Sequence, residues 1–290
     1  MVDYDFSIQK QLFEIAYQIL EDYEIEEWSF GGGTALSYCY YQHRMSYDID
    51  IFLEDFSAIS ILLENKNEIA NNLGIPIDLV KASSSNLTFI LKQNDEGLKL
   101  DFLYGTALTS TPYCSKNIFE FQKIVVQTPI EILARKLKHR ETVTIRDFVD
   151  FSFAEQQEAI LTKLKSENIV DIDRFFDVIK QFNDFDELTF NQELEYLNSY
   201  LYNKKEDLAQ SINSLMIPNE MIKVAVDDVE VVAFDQFIEA YREVYEEVGR
   251  FDVFELSRDK VMKLLGRSFI TYEDVLGLGR QDIEIIKKVL

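Results

Sequence analysis

The sequence predicts an α+β fold, with an N-terminal mixed sheet and flanking helices over residues 1–127 and a mainly helical region over residues 128–290. Three observations lead there. Short apolar or alternating runs bounded by Asn, Ser, Gly and Asp recur from Trp28 to Val126, the pattern of strands and hairpins. Segments with helical spacing of apolar residues fall between and before them. From Pro129 onward the pattern is helical almost throughout. Thr128 as a cap and Pro129 in a first helical turn mark the change.

In order, Phe6, Leu12, Phe13, Ala16, Ile19 and Leu20 give a first amphipathic helix. Trp28 to Phe30 reads as a short strand running into Gly31-Gly32-Gly33, and Thr34 to Tyr41 as a helix opening from those glycines. Tyr47 to Phe52 alternates as a strand with two carboxylates on one face. Ile59 to Leu73 reads as one helix stopped by Gly74. Ile77–Val80, Leu87–Leu91, Leu98–Tyr104 and Ile124–Val126 read as further strands. No internal repeat or flexible linker is evident, so the two regions are expected to pack closely. Leu276-Gly277-Leu278-Gly279-Arg280 has the look of a backbone-binding hairpin, but Gly277 reads better as a helix stop.

Composition narrows the function. With 47% apolar and 28% charged residues over 290 positions, the chain has the makings of a folded protein with a sizeable core. No apolar run approaches the ~20 residues of a membrane helix, and Met1-Val-Asp-Tyr-Asp lacks a signal-peptide pattern. Cys39 and Cys114 are the only cysteines, which fits a reducing, cytoplasmic setting. Lys and Arg total 29 against 52 Asp and Glu, a net charge of −23 that argues against a simple nucleic-acid binder. The distribution is uneven. Residues 116–146 hold seven cations and three acids, whereas residues 151–290 hold 16 cations and 29 acids. A local basic patch of this kind can still meet a phosphate-bearing ligand.

The chemistry concentrates in Phe30-Gly-Gly-Gly-Thr-Ala-Leu36 and Arg44-Met-Ser-Tyr-Asp48-Ile-Asp50-Ile-Phe52. Asp48 and Asp50, at i and i+2 of a strand, lie roughly 6.6 Å apart on one face, a span over which carboxylates can converge on a hard cation such as Mg²⁺. Glycines between strand and helix allow a ligand close to the backbone, and free N–H groups there favour phosphate. Thr34 offers a hydroxyl. Either motif alone is ordinary, a solvated strand face or a turn; their succession is less so. Asp101, between Leu100 and Phe102, is a third carboxylate at a strand position where burial is costly unless it is paired or bound to metal. Asp78 has the same local setting and ranks second. Downstream, Lys136, His139 and Arg140 lie near Asp147 and Asp150 across a break at 141–144. Lys136 is placed to reach a triphosphate, and Asp147 to order that lysine or activate an acceptor hydroxyl. The plainer alternative is a basic solvated helix followed by a capped one, with Arg146 pairing Asp150 at i,i+4. His43 has no second histidine or cysteine at metal-ligand spacing.

Gly32-Gly33-Thr34-Ala-Leu followed by Arg44-x-Ser46-x-Asp48-Ile-Asp50-Ile-Phe resembles the AbiEii/AbiGii nucleotidyltransferase toxins of the DNA polymerase β-like superfamily. Leu133-Ala-Arg-Lys136-Leu and Arg146-Asp147-Phe-Val-Asp150 resemble the family's later motifs, so the likeness covers residues 30–150. The resemblance implies a nucleotidyltransferase-like sheet and transfer of an NMP from an NTP to a hydroxyl, on RNA such as a tRNA 3′ end, a protein or a small molecule. It implies Mg²⁺ or Mn²⁺ on Asp48, Asp50 and Asp101, catalytic roles for Lys136 and Asp147, and nucleotide contacts from Gly32, Gly33 and Thr34. Arg44 and Ser46 bind substrate or anchor the strand. It also implies a toxin of a toxin–antitoxin or phage-defence system, with a cognate antitoxin. The competing expectation is a catalytically silent nucleotide-binding module that acts on a basic partner through its acidic helical region.

Overall fold

The computed structural model describes residues 4–214 apart from residues 94–95, 167–168, 171, 198, 200–201 and 203. The Gly277 segment lies outside the described residues. A compact unit runs through Ile212. The described strands form one seven-stranded mixed sheet: β1 (Trp28–Gly31), β2 (Ile49–Leu53), β3 (Val80–Ala82), β4 (Asn86–Gln93), β5 (Glu96–Tyr104), β6 (Tyr113–Ile118) and β7 (Phe121–Gln127). Their order is β3-β4-β5-β2-β1-β7-β6. β2 runs parallel to β5 and antiparallel to β1, and β1 runs parallel to β7. β4–β5 is an antiparallel hairpin, as the short polar interval predicts, and β6–β7 is a second one.

The first helix, α1 (Ser7–Asp22), buries Leu12, Phe13, Ala16, Ile19 and Leu20. Phe13 sits edge-on to Phe30 of β1 and Phe121 of β7, their ring centroids 5.1 and 5.5 Å away, so α1 is seated on the β1–β7 side of the sheet. The segment after the glycines is helical but not uniform. A short α2 (Gly32–Leu36) widens into a π-helical turn, Ser37–Tyr41, and ends at Gln42 in the left-handed region. The stretch read as one helix over 59–73 is two, α3 (Phe56–Glu64) and α4 (Lys66–Asn72). They break at Asn65, whose side-chain amide donates to the Ile61 carbonyl and so competes with helix continuation. Gly74 follows with φ +66°, the conformation that suits glycine.

Two strand expectations shift. Ile77–Leu79 is a 3₁₀ turn and not a strand, with Pro76 fixing its entry; the strand starts at Val80. β6 was not predicted, because Tyr-Cys-Ser-Lys-Asn-Ile carries few β-branched residues and little alternation.

Beyond the sheet come α5 (Pro129–His139), α6 (Ile145–Glu158), α7 (Ile160–Ser166), α8 (Ile172–Asp184), α9 (Glu187–Tyr196) and α10 (Lys205–Ser214). Thr128 stands at the α5 N-cap, but its hydroxyl donates to the Thr111 carbonyl and not to the helix. Phe148 of α6, Phe182 of α8 and Phe190 of α9 form an aromatic cluster, each at most 2% exposed. α5 is tied to the loop after β5 by Glu131. Its buried carboxylate accepts from Leu108 N, Thr109 N and Thr109 Oγ1 and pairs with Arg135 at 2.8 Å. Among the described residues no helix is long and apolar enough to cross a membrane. Glu131→Ala leaves Arg135 and two loop amides without their acceptor; urea unfolding should show a loss of about 3–5 kcal/mol, and a loss under about 1 kcal/mol would refute this anchor.

Candidate active site

The parallel pairing of β2 with β5 places Asp50 directly opposite Asp101. Side chains of register partners share a face, so these two carboxylates face the same side although 51 residues separate them. Thr88 of β4 stands next in line and its hydroxyl donates to Asp101 Oδ1. Asp48 precedes β2 and is not part of it, contrary to the strand reading; its Oδ1 accepts from the Lys99 amide at 3.1 Å. All three carboxylates line one cavity of about 230 Å³, with Gly33, Arg44, Ser46, Lys136 and Asp147 of the sequence-predicted set. Lys99, Arg140 and Arg146 complete its basic side. Asp78 lies on the 3₁₀ turn and does not line it, so Asp101 is the third carboxylate of this cavity.

Glycine at 32 and 33 has a steric cause. Gly32 has φ +71°, and a Cβ there would run into the Asp50 carboxylate. A Cβ at Gly33 would lie 2.8 Å from both Arg44 Nη2 and Ser46 Oγ. Thr34 is fully buried and donates to the Asp48 carbonyl at 2.5 Å, so its hydroxyl holds the carboxylate-bearing loop and does not face a ligand. Ser46 is anchored through its carbonyl, which accepts from Gln9 Nε2 of α1.

Behind this cavity lies a buried charge network that local reading missed. Asp150 of α6 is wholly buried. It accepts a two-pronged contact from Arg44, Nε to Oδ1 at 2.7 Å and Nη2 to Oδ2 at 2.8 Å. Lys136 Nζ reaches Asp150 Oδ2 at 2.5 Å and Asp147 Oδ1 at 2.8 Å. His43 Nε2 lies 2.6 Å from Asp150 Oδ1. Asp147 also closes a capping box with Thr144 and accepts from Arg140 Nη1 at 2.7 Å. Arg146 therefore does not pair with Asp150; it is exposed at the cavity wall. The i,i+3 spacing of Asp147 and Asp150 on a helix was the available signal for Asp150, but nothing in the sequence showed which cations it meets.

The electrostatics divide in two. Burial, with Asp101 and Asp48 nearby, pushes the Asp50 carboxyl up to about 7. Burial and Asp48 also raise Asp101, against the hydrogen bond from Thr88. For Asp150 burial acts upward too, but Arg44 and Lys136 outweigh it and hold the carboxyl well below its usual range. Asp147 is likewise lowered, as Lys136 and Arg140 overcome its burial. Burial keeps His43 below its usual value despite Asp150, so it serves as a neutral donor to that carboxylate.

Among the described residues no group of three or more His, Cys, Asp or Glu side chains is arranged as a ready metal cage. The donor chemistry nonetheless suits a hard cation. Two register-paired carboxylates and a third share one cavity, and burial, reinforced by repulsion from Asp101 and Asp48, raises the Asp50 carboxyl to about 7.

The mixed sheet thus presents paired carboxylates beside a glycine turn, with cations on an adjoining helical layer. The sequence model of the "Nucleotidyl transferase AbiEii toxin, Type IV TA system" matches residues 17–216, so the chain belongs to this family of nucleotidyltransferase toxins of toxin–antitoxin systems. No curated protein matches it. Solved structures with a similar fold include a candidate nucleotidyltransferase from Helicobacter pylori, at 18% identity and TM-score 0.45, covering 74% of this chain and 96% of that one. JHP933, also from Helicobacter pylori, has 16% identity and TM-score 0.45, covering 84% and 100%.

Two predictions follow from the opposed titrations. A carboxyl raised in the folded state contributes stability only while protonated, and that contribution is lost as pH rises from about 4 to about 7. Asp50→Asn should therefore raise the metal-free thermal midpoint at pH 8 and remove that part of the pH slope; a lower midpoint at pH 8 would contradict it. Asp150→Ala strands Arg44 and Lys136 and should cost about 3–5 kcal/mol, measured by urea unfolding at pH 7. Because Asp150 is lowered, its contribution is present at neutral pH and is lost on acidification, so the gap between variant and wild type should begin to close only below about pH 4, as pH falls towards the depressed folded value.

Proposed function

We propose that this protein moves an NMP group from an NTP to an acceptor hydroxyl on RNA, such as a tRNA 3′ end, with Mg²⁺ or Mn²⁺ as cofactor. The observation that carries the reading is the single cavity in which Asp48, Asp50 and Asp101 face Lys136, Arg140 and Arg146. Residues 1–127 supply the carboxylates, and the helical region from residue 128 supplies Lys136 and Asp147. Asp48, Asp50 and Asp101 would hold the divalent cation, which when bound activates the attacking oxygen and neutralises charge on the leaving pyrophosphate. Gly32 and Gly33 leave room for the triphosphate where any side chain would collide with Asp50 or Arg44.

Lys136 has three N–H donors, and Asp147 and Asp150 engage two. The third is open to a phosphate oxygen, from an ammonium whose position is already fixed. Asp147 acts as a positioning group for Lys136 and Arg140. Its oxygens are occupied and its carboxyl is held low, which leaves it poorly suited to take a proton from a hydroxyl. Arg44 is an anchor of the loop before β2, given its burial against Asp150. Arg140, whose side chain is 40% exposed, and the exposed Arg146 and Lys99 supply a basic edge for an RNA backbone on an otherwise acidic protein. Cys39 and Cys114 are both free, in keeping with action in a reducing cytoplasm beside a cognate antitoxin.

Incubation with each labelled NTP, Mg²⁺ and total RNA or lysate tests the reading. Label should appear in RNA; label in protein or in a small molecule would replace the acceptor, and no transfer with any NTP would reject the activity. Asp48→Ala should abolish transfer without lowering the thermal midpoint, since it removes one of three clustered like charges. Lys136→Ala should slow transfer on the order of 10²-fold or more, whereas Lys138→Ala, exposed and rotated ~200° around α5, should stay within about twofold. The reverse order would refute the assignment of Lys136.

A further inference from the structure

Beside the carboxylate cavity, between the sheet face and α5, runs a second cleft of about 180 Å³. Gly33, Asp50, Lys136 and Arg140 line both, so the two are continuous at the site of chemistry. Their linings differ. The second cleft has an apolar wall of Phe52 and Leu103 from the sheet and Ile132 from α5. Phe52 lies two residues beyond Asp50 on the same strand face, and the Arg135 guanidinium lies 4.6 Å from its ring centre, clamped in turn by Glu131 and the Gly105 and Thr106 carbonyls. Arg135 therefore covers one face of the Phe52 ring and holds that side of the wall in place.

The cleft also holds one polar group with no assigned task. Gln127, at the end of β7, is fully buried, and its Oε1 has no hydrogen-bond partner among the described residues. Its Nε2 donates to Ser29 Oγ at 3.4 Å, which sets the amide with the oxygen as the free acceptor. A buried acceptor without a donor costs about 1–3 kcal/mol, and a ligand that brings an N–H to it recovers that cost. A cavity of roughly 150 Å³ lined by apolar side chains accommodates a benzene ring, so this cleft has room for a planar heterocycle.

We propose that this cleft takes the base of the incoming nucleotide, with the ring against the Phe52–Leu103–Ile132 wall and an exocyclic amino group donating to Gln127 Oε1. The proposal rests on the reading of an NTP as the substrate and extends it. Adenine, cytosine and guanine carry an exocyclic amine for this contact; uracil has a carbonyl in its place and only its ring N3–H to offer, so it should bind more weakly. The inference adds Phe52, Leu103 and Gln127 to the site as specificity-determining residues, in a region where the sequence offered no motif.

Calorimetric titration with ATP, CTP, GTP, UTP and inorganic tripolyphosphate, each with Mg²⁺, decides the matter. At least one amino-bearing NTP should bind about tenfold or more tighter than UTP and tripolyphosphate. Gln127→Leu should bring that NTP to within about threefold of UTP and leave tripolyphosphate binding unchanged. Leu103→Trp, at a half-buried position where the larger side chain fills the cleft, should weaken NTP binding about tenfold and also spare tripolyphosphate. UTP bound as tightly as the best NTP, NTP binding indifferent to both substitutions, or equal loss of tripolyphosphate and NTP binding in Leu103→Trp would each overturn the cleft assignment while leaving the NTP reading intact. Failure of the wild type to bind any NTP would overturn both.

Discussion

The arrangement of this protein depends on one buried carboxylate. Asp150 has no access to water, and a lone charge in that position would be costly. It is compensated from three directions: by the fork of Arg44, the ammonium of Lys136 and the imidazole of His43. Arg44 and His43 come from the loop before β2 and Lys136 from α5, while Asp150 itself stands on α6, so neutralising one charge fixes three segments against each other. Paired forks are directional as well as strong, which explains why the geometry is held closely. Asp48 and Asp50 lie four and six residues beyond Arg44, and their position is inherited from that anchor.

From this anchor the site acquires two electrostatic faces. The α5–α6 side is self-consistent, with Asp147 and Asp150 each matched by cations and held ionised. The sheet side is not, since Asp50 and Asp101 face each other with Asp48 nearby and no cation in direct contact, and burial and mutual repulsion raise their carboxyls. Such a contrast is typical of sites arranged for an ion and an anionic substrate that arrive from solution. An overall charge of −23 does not oppose this, because the basic residues that meet the cavity are local and partly fixed by the buried network.

Much of the site was legible because its motifs are short and tied to secondary structure. The Gly-Gly turn, the Asp-x-Asp spacing and a carboxylate placed among apolar strand residues are local signals, and Gly33, Asp48, Asp50 and Asp101 do share a cavity. Roles were less legible than membership. Thr34 has the right chemistry for phosphate, yet its hydroxyl is turned to a backbone carbonyl. Of the two roles open to Asp147, ordering Lys136 is the one its geometry matches, and Asp150 joins it as an unexpected second partner of that lysine. Asp78 and Asp101 look alike in sequence, and the structure separates them because Asp78 falls on a 3₁₀ turn while Asp101 stands on β5 opposite Asp50. The break at Asn65 and the π turn at Ser37–Tyr41 went unseen because both are small departures inside otherwise good helical patterns.

What the sequence by itself determined is the inventory: an α+β chain, the positions of most strands and of the N-terminal helices, and the residue types able to hold phosphate and a hard cation. These follow from spacing, since periods of 2 and 3.6 decide which neighbours share a face regardless of what lies opposite. Only the tertiary structure decided who faces whom. The parallel crossover that sets Asp50 against Asp101, the choice of Asp150 as the meeting point of Arg44, Lys136 and His43, and the burial of an unpartnered Gln127 oxygen beside a cleft that Asp50 also lines all join residues from separate elements. Such pairings depend on strand order and on the cost of leaving a buried charge or acceptor alone, and neither is a property of any local stretch of chain.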